Sequence, residues 1–186
     1  MTRYSDSVKR AETGAGADSR LKRLAGRIEA LADKDERSLR MGLEIAQVRR
    51  AAALEIHAVC AAFTEALNRL LTDRAVVIDP SEVREEGFGE LNPRLIQINV
   101  RGRIMQVEFH EPDGLLSTEE FRIPYTLAGS VRAFNQELLD KDIIEEQLLF
   151  YTVEKHRRMW RFFDPRTYRS GPFDEGYLIS LMEQIV

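Results

Sequence analysis

From Leu21 to Leu70 the apolar residues of this chain recur at steps of three and four, with one gap at 33–37, and from Ile96 to Phe109 they recur every two. That change of period, from helical to extended, constrains the chain to a helical layer followed by a sheet. The helical part opens with Leu21, Leu24, Ile28 and Leu31 at 3-4-3 spacing, the pattern of a short coiled-coil seam. Asp18 or Ser19 is the expected cap, since either side-chain oxygen can accept from an exposed amide of a first turn. Residues 33–37 carry no apolar side chain. The stripe resumes as Met41, Ile45, Val48, Ala52, Ile56, Val59, Phe63, Leu67 and Leu70.

One helix of about 50 residues would span about 75 Å at 1.5 Å per residue. That exceeds the diameter of about 25–35 Å expected of a domain built from the rest. The favoured expectation is therefore a break near residues 33–37, with the two pieces folding back. The alternative is a projecting helix whose seam needs a partner.

After Asp73 the chain reads differently. Residues 75–78 form a short β-branched run stopped by Asp79-Pro80, and Gly87, Gly89 and Pro93 mark a loop. Ile96, Ile98 and Val100 then alternate with polar neighbours. Across Arg101-Gly102, Met105, Val107 and Phe109 supply the matching apolar face, opposite Gln106, Glu108 and His110. Glu111-Pro112-Asp113-Gly114 is a turn signal. A third strand is expected with Phe121, Ile123 and Tyr125 inward and Glu120 and Arg122 outward, which completes a meander with one dry and one wet face.

Thr126 is expected to cap a helix bearing Leu127, Val131, Phe134 and Leu138. Residues 147–153 and 158–163 read as a second hairpin. Asp174 reads as the cap of a final helix with Tyr177, Leu178, Leu181, Met182 and Ile185 on one side. The expected fold is α+β: a long amphipathic amino-terminal helical segment, in one or two helices, with an antiparallel sheet of about five or six strands. A helix lies between the meander and the last hairpin, and another closes the chain. Residues 1–18 are expected as a disordered tail, 19–72 as the helical segment and 73–186 as the α+β domain.

With 44% apolar residues the chain can bury a core. No run approaches the roughly 18 apolar residues of a transmembrane span, and the amino terminus lacks a signal-type apolar stretch. The single cysteine, Cys60, precludes an intramolecular disulfide. Together these lead to the expectation of a cytoplasmic protein that does not engage membranes. The net charge of −4 is unevenly spread. Residues 77–150 carry 15 acidic against 7 basic side chains, whereas residues 154–169 carry 6 basic against 2 acidic.

The chemistry-bearing residues are few. His57 and Cys60 stand three apart on a helix, but with three histidines and one cysteine in all, no metal-ligand set is assembled. Nucleophile-elbow, Walker and dinucleotide spacings are all missing, so no catalytic residue, metal or cofactor is assigned. Glu108 and His110 share the polar face of a strand, with Glu120 and Arg122 expected nearby. They are candidates for an acid–base pair, although an ordinary solvated face with cross-strand ion pairs is the favoured reading.

Lys155, Arg157, Arg158, Arg161, Arg166 and Arg169 interleave with Trp160, Phe162, Phe163 and Tyr168. Guanidinium groups pair with phosphates and aromatic faces stack on unpaired bases, so this segment is a candidate nucleic-acid platform. Period-two alternation, however, places much of its aromatic content in the core. The reading that asks for least is protein association. A seam of Leu21, Leu24, Ile28 and Leu31 gains by pairing with another chain, and a non-enzymatic adaptor that self-associates or binds a protein through its amino-terminal helices is the expectation. Nucleic-acid binding and acid–base catalysis are the alternatives.

Overall fold

A computed structural model describes residues 5–73, 75–83, 94–112, 123–154 and 157–186, with side chains from Ser19 onward, Ser38 excepted. Two compact units are present, residues 1–46 and 47–186.

The first unit belongs to helix α1, which runs Ser5–Leu70. It begins ahead of the cap expected at Asp18 or Ser19, and the break expected near residues 33–37 is not there. Missing apolar residues remove a surface to bury, not the helix. No Pro or Gly interrupts 33–37, and the Arg37 side chain donates to the Asp33 carbonyl oxygen at 3.0 Å. Arg40 reaches Glu36 one turn back at 3.1 Å, the spacing at which charges stabilise a helix.

In the second unit the α1 residues from Gln47 onward pack on a seven-stranded sheet whose spatial order is its chain order. The strands are β1 (Val76–Asp79), β2 (Arg94–Val100), β3 (Arg103–His110), β4 (Tyr125–Phe134), β5 (Glu146–Glu154), β6 (Arg157–Asp164) and β7 (Arg169–Pro172). Every neighbouring pair is antiparallel. Helix α2 (Gln136–Asp140) links β4 to β5, and α3 (Glu175–Glu183) ends the chain.

The β2–β3 hairpin forms where alternation places it. Arg101 and Gly102 both take positive φ, 51° and 86°, as a two-residue turn matched to strand twist requires. The Asn99 side chain accepts from the Gly102 N–H at 2.9 Å and holds that turn. Ile96, Ile98, Met105, Val107 and Phe109 all face the core. The β5–β6 hairpin also forms where expected, each strand one residue longer at either end, and pairs Tyr151 with Trp160 and Leu148 with Phe163.

The segment after Thr126 departs from expectation: it is strand β4, not a helix. Leu127, Val131, Phe134 and Leu138 satisfy a helical spacing, yet Leu127, Val131 and Ala133 also alternate onto the sheet's inner face. Partners on both sides decide the outcome, since β4 pairs with β3 over seven residues and with β5 across a register shift. Gly129 has no Cβ because one there would lie 1.9 Å from the Glu108 carbonyl oxygen, a backbone approach only glycine permits. The helix that does form, α2, is short and is capped by Asn135, which accepts from Leu138 N–H at 3.0 Å. Of the expected third strand, Glu120, Phe121 and Arg122 lie outside the described residues, as do Asp113, Gly114, Gly87, Gly89 and Pro93.

The core lies between the inner face of the sheet and the helices. Ala52, Ala53, Ile56, Cys60 and Phe63 of α1 meet Ile98, Met105, Val107, Val131, Leu149 and Trp160, and α3 adds Leu178 and Leu181. Each large apolar side chain so buried stabilises the fold by about 1.5–3 kcal/mol. Asp174 caps α3 as expected, accepting from the Tyr177 N–H at 2.9 Å.

Over β2–β4 the outer face is wet. There Gln106 donates to Gln97 at 3.1 Å and Arg132 to Glu108 at 3.0 Å. Farther along, Tyr125, Phe150 and Phe163 form a second buried cluster with Leu148 and Ala128 beside it. Among the described residues no helix is long and apolar enough to cross a membrane.

Candidate functional site

The four aliphatic side chains of the first unit at coiled-coil spacing are open to solvent. Leu21 is 63% exposed, Leu24 52%, Ile28 58% and Leu31 58%. Leu39, Met41 and Leu43 further along the same unit are exposed as well. Arg20, Arg23 and Arg27 surround Leu21 and Leu24. The later turns of α1, from Ala52 to Phe63, bury the same kind of stripe in the core of the second unit.

The basic segment is divided rather than gathered. Lys155 lies outside the described residues. Arg157 and Arg161 follow the outer face of β6, while Arg158 alternates to the inner side with Trp160 and Phe162. Arg166 is held by Glu145 and lies 3.6 Å from Asp164. Arg169, at the start of β7, is exposed.

The aromatic residues between them are occupied. Trp160 is 2% exposed and donates its indole N–H to the Ala52 carbonyl oxygen at 2.8 Å. Phe162 stacks on Tyr177 with ring centroids 4.1 Å apart, and Phe163 belongs to the outer cluster. Tyr168 alone stands out, 77% exposed and edge-on to Phe163.

Glu108 and His110 do share one face of β3, but the Glu108 carboxylate is engaged by Arg132 at 3.0 Å. His57 spends Nε2 on the Pro80 carbonyl oxygen at 2.8 Å. Cys60 is fully buried, and that burial pushes its thiol up to about 12. A thiol protonated at neutral pH and shielded from solvent is neither nucleophile nor metal ligand. Among the described residues no group of three or more His, Cys, Asp or Glu side chains could hold a metal ion.

Two concave places were not foreseen from the sequence. One, about 420 Å³, opens between β6, β7 and α3 beside Asp164, Arg169, Tyr177 and Ser180. Two of its polar groups, Tyr177 and Asp164, are already partnered. Tyr177 donates its hydroxyl to Gln147 Oε1 at 2.7 Å, while Asp164 accepts from the Arg166 N–H and the Thr167 hydroxyl, both at 2.9 Å. Burial pushes the Asp164 carboxyl up, but those hydrogen bonds and the Arg166 charge outweigh it and hold it below its usual range.

The second, about 220 Å³, lies under His57 and Pro80 against Ile96 and Phe109 and is mainly apolar. Arg49 forms a further polar node. It donates to the Thr126 carbonyl and hydroxyl oxygens and to Glu111, each at 3.1 Å, and to the Pro112 carbonyl oxygen at 2.5 Å. Its donors converge on protein acceptors, which makes it a clamp between α1, the start of β4 and the two residues that follow β3. These sites join residues too far apart in sequence for spacing to reveal them.

No family model, curated protein or solved structure matches this chain.

Proposed function

We propose that this chain is a non-enzymatic interaction or adaptor protein that self-associates or binds a protein partner through its amino-terminal helix. One observation carries the reading: four large aliphatic side chains at coiled-coil spacing, Leu21, Leu24, Ile28 and Leu31, are each more than half exposed. A solvated seam of that regularity gains on association, because each side chain fully removed from water contributes about 1.5–3 kcal/mol. Three polar groups that catalysis could use, Glu108, His57 and Asp164, already serve protein partners, which favours an interaction role over a chemical one.

The test places a photo-crosslinking benzoylphenylalanine at Ile28, on the seam, and in a second protein at Gly26, on the far side of the same turns. Irradiation of the full chain in cells is expected to give discrete adducts from position 28 and none from position 26. Equal adducts at both positions, or none at either, would count against the reading.

A further inference from the structure

With Leu21 and Ile28 at a and Leu24 and Leu31 at d, the g positions are Arg20, Arg27 and Lys34 and the e positions are Ala25 and Ala32. One flank of the seam is therefore basic throughout and the other is small and neutral. The next a position is Asp35, a carboxylate in line with the apolar layer. Arg20, Arg27, Lys34 and Asp35 are all exposed.

This pattern bears on what can cover the seam. In an antiparallel pair of identical helices g faces g, so the basic row meets its own copy at every register. In a parallel identical pair g faces e, and Arg20 and Arg27 meet alanines while Asp35 meets the Asp35 of the second copy. Like charges at such positions destabilise and set partner choice. Neither orientation of a homodimer gives the basic row a carboxylate.

The seam is also narrow. At 100° per residue its four side chains fall within an arc of about 80°, the width of a coiled-coil seam rather than of a membrane-surface helix. No aromatic residue lies between Ser19 and Arg37 to anchor in lipid.

We propose that Leu21, Leu24, Ile28 and Leu31 dock an amphipathic helix of a different protein whose flank is acidic, carboxylates lying opposite Arg20, Arg27 and Lys34. This rests on the association reading above and narrows it from any protein to a heterotypic, negatively charged helix. Apolar layers supply the affinity, and the charges select partner and orientation.

Two synthetic peptides of about four heptads, sharing one Leu/Ile seam, test it, one with Glu and the other with Lys at every e and g position. Titrated against the full chain at low salt, the Glu peptide is expected to bind about tenfold or more tighter than the Lys peptide. The R20E/R27E/K34E variant is expected to reverse that order. Equal binding of the two peptides, or a preference that survives charge reversal, overturns the proposal. So does saturation by phosphatidylserine vesicles that excludes the Glu peptide. A chain dimer that the Glu peptide does not dissolve defeats the acidic partner but leaves the association reading standing. If neither peptide binds and no dimer forms, the association reading itself fails.

Discussion

The indole N–H of Trp160 on β6 donates to the carbonyl oxygen of Ala52 on α1 across 2.8 Å, in the buried core of the second unit. A helix carbonyl normally serves its own ladder, so this bond fixes which turn of α1 sits over β6. Phe109 and Tyr151 hold the same indole, their centroids 5.4 Å and 5.3 Å away. Trp160→Phe keeps an aromatic ring but deletes the donor and part of the volume. It is expected to cost about 2–3 kcal/mol, seen as a lower urea midpoint by far-UV circular dichroism with an unchanged slope. An unshifted midpoint would mean the bond does not fix the helix.

Gly129 and Gly171 separate two kinds of steric demand. A Cβ at 129 meets backbone of β3, 1.9 Å from the Glu108 carbonyl oxygen and 2.7 Å from Phe109 Cα, whereas at 171 it meets the edge of the Phe162 ring at 2.8 Å. Backbone held on both sides by a sheet cannot retreat, but a ring can tilt. Gly129→Ala is expected to destabilise by about 3 kcal/mol or more, and Gly171→Ala by about 1 kcal/mol. Thermal unfolding of the two variants side by side checks the order.

The Arg49 node is asymmetric. Arg49 donates to four acceptors, while Glu111 supplies only one of them. Arg49→Met is expected to cost about 2–3 kcal/mol, because it strands acceptors in a half-buried place, and Glu111→Gln about 1 kcal/mol or less. Equal losses in urea unfolding would show that the ion pair, rather than the carbonyl contacts, carries the node.

Alkaline pH should loosen the core. Burial pushes the Cys60 thiol from 9.0 up to about 12, and burial, then the charge of Glu55 and the hydrogen bond to it, push the Tyr151 hydroxyl from 10.0 up to about 12. Both groups keep their protons when folded and release them earlier when unfolded. Their contribution is therefore full below about pH 9 and falls as pH climbs towards 12. Urea midpoints measured from pH 8 to 11 are expected to decline, and Cys60→Ala should flatten the early part of that decline. At pH 8 the native thiol is expected to react with a thiol reagent only as fast as the chain opens.

What the sequence made legible follows from how local each signal is. Ile96 to Phe109 announces its hairpin because two clean alternations flank an Arg-Gly turn, and the seam at Leu21 to Leu31 is visible because spacing alone defines it. Strand β4 was hidden because Leu127, Val131 and Phe134 fit a helical step as well as a sheet face, while Ala128 and Gly129 blur the alternation. Only the distant partners β3 and β5 resolve that ambiguity. The charged run 33–37 is ambiguous in another way, since a gap in the apolar stripe reports on burial and sets no limit on helicity. The cleft at Tyr177 depends on Gln147 and Phe162, 30 and 15 positions away, and no spacing rule links them.

The seam's role is tested most directly by Leu24→Glu/Ile28→Glu, followed through urea unfolding and through the crosslinked adducts formed from position 31. If the seam is a docking surface and no part of the core, the double variant unfolds at the wild-type urea concentration and loses its adducts. A lowered midpoint with adducts retained would contradict that account and place Leu24 and Ile28 in the folding core instead.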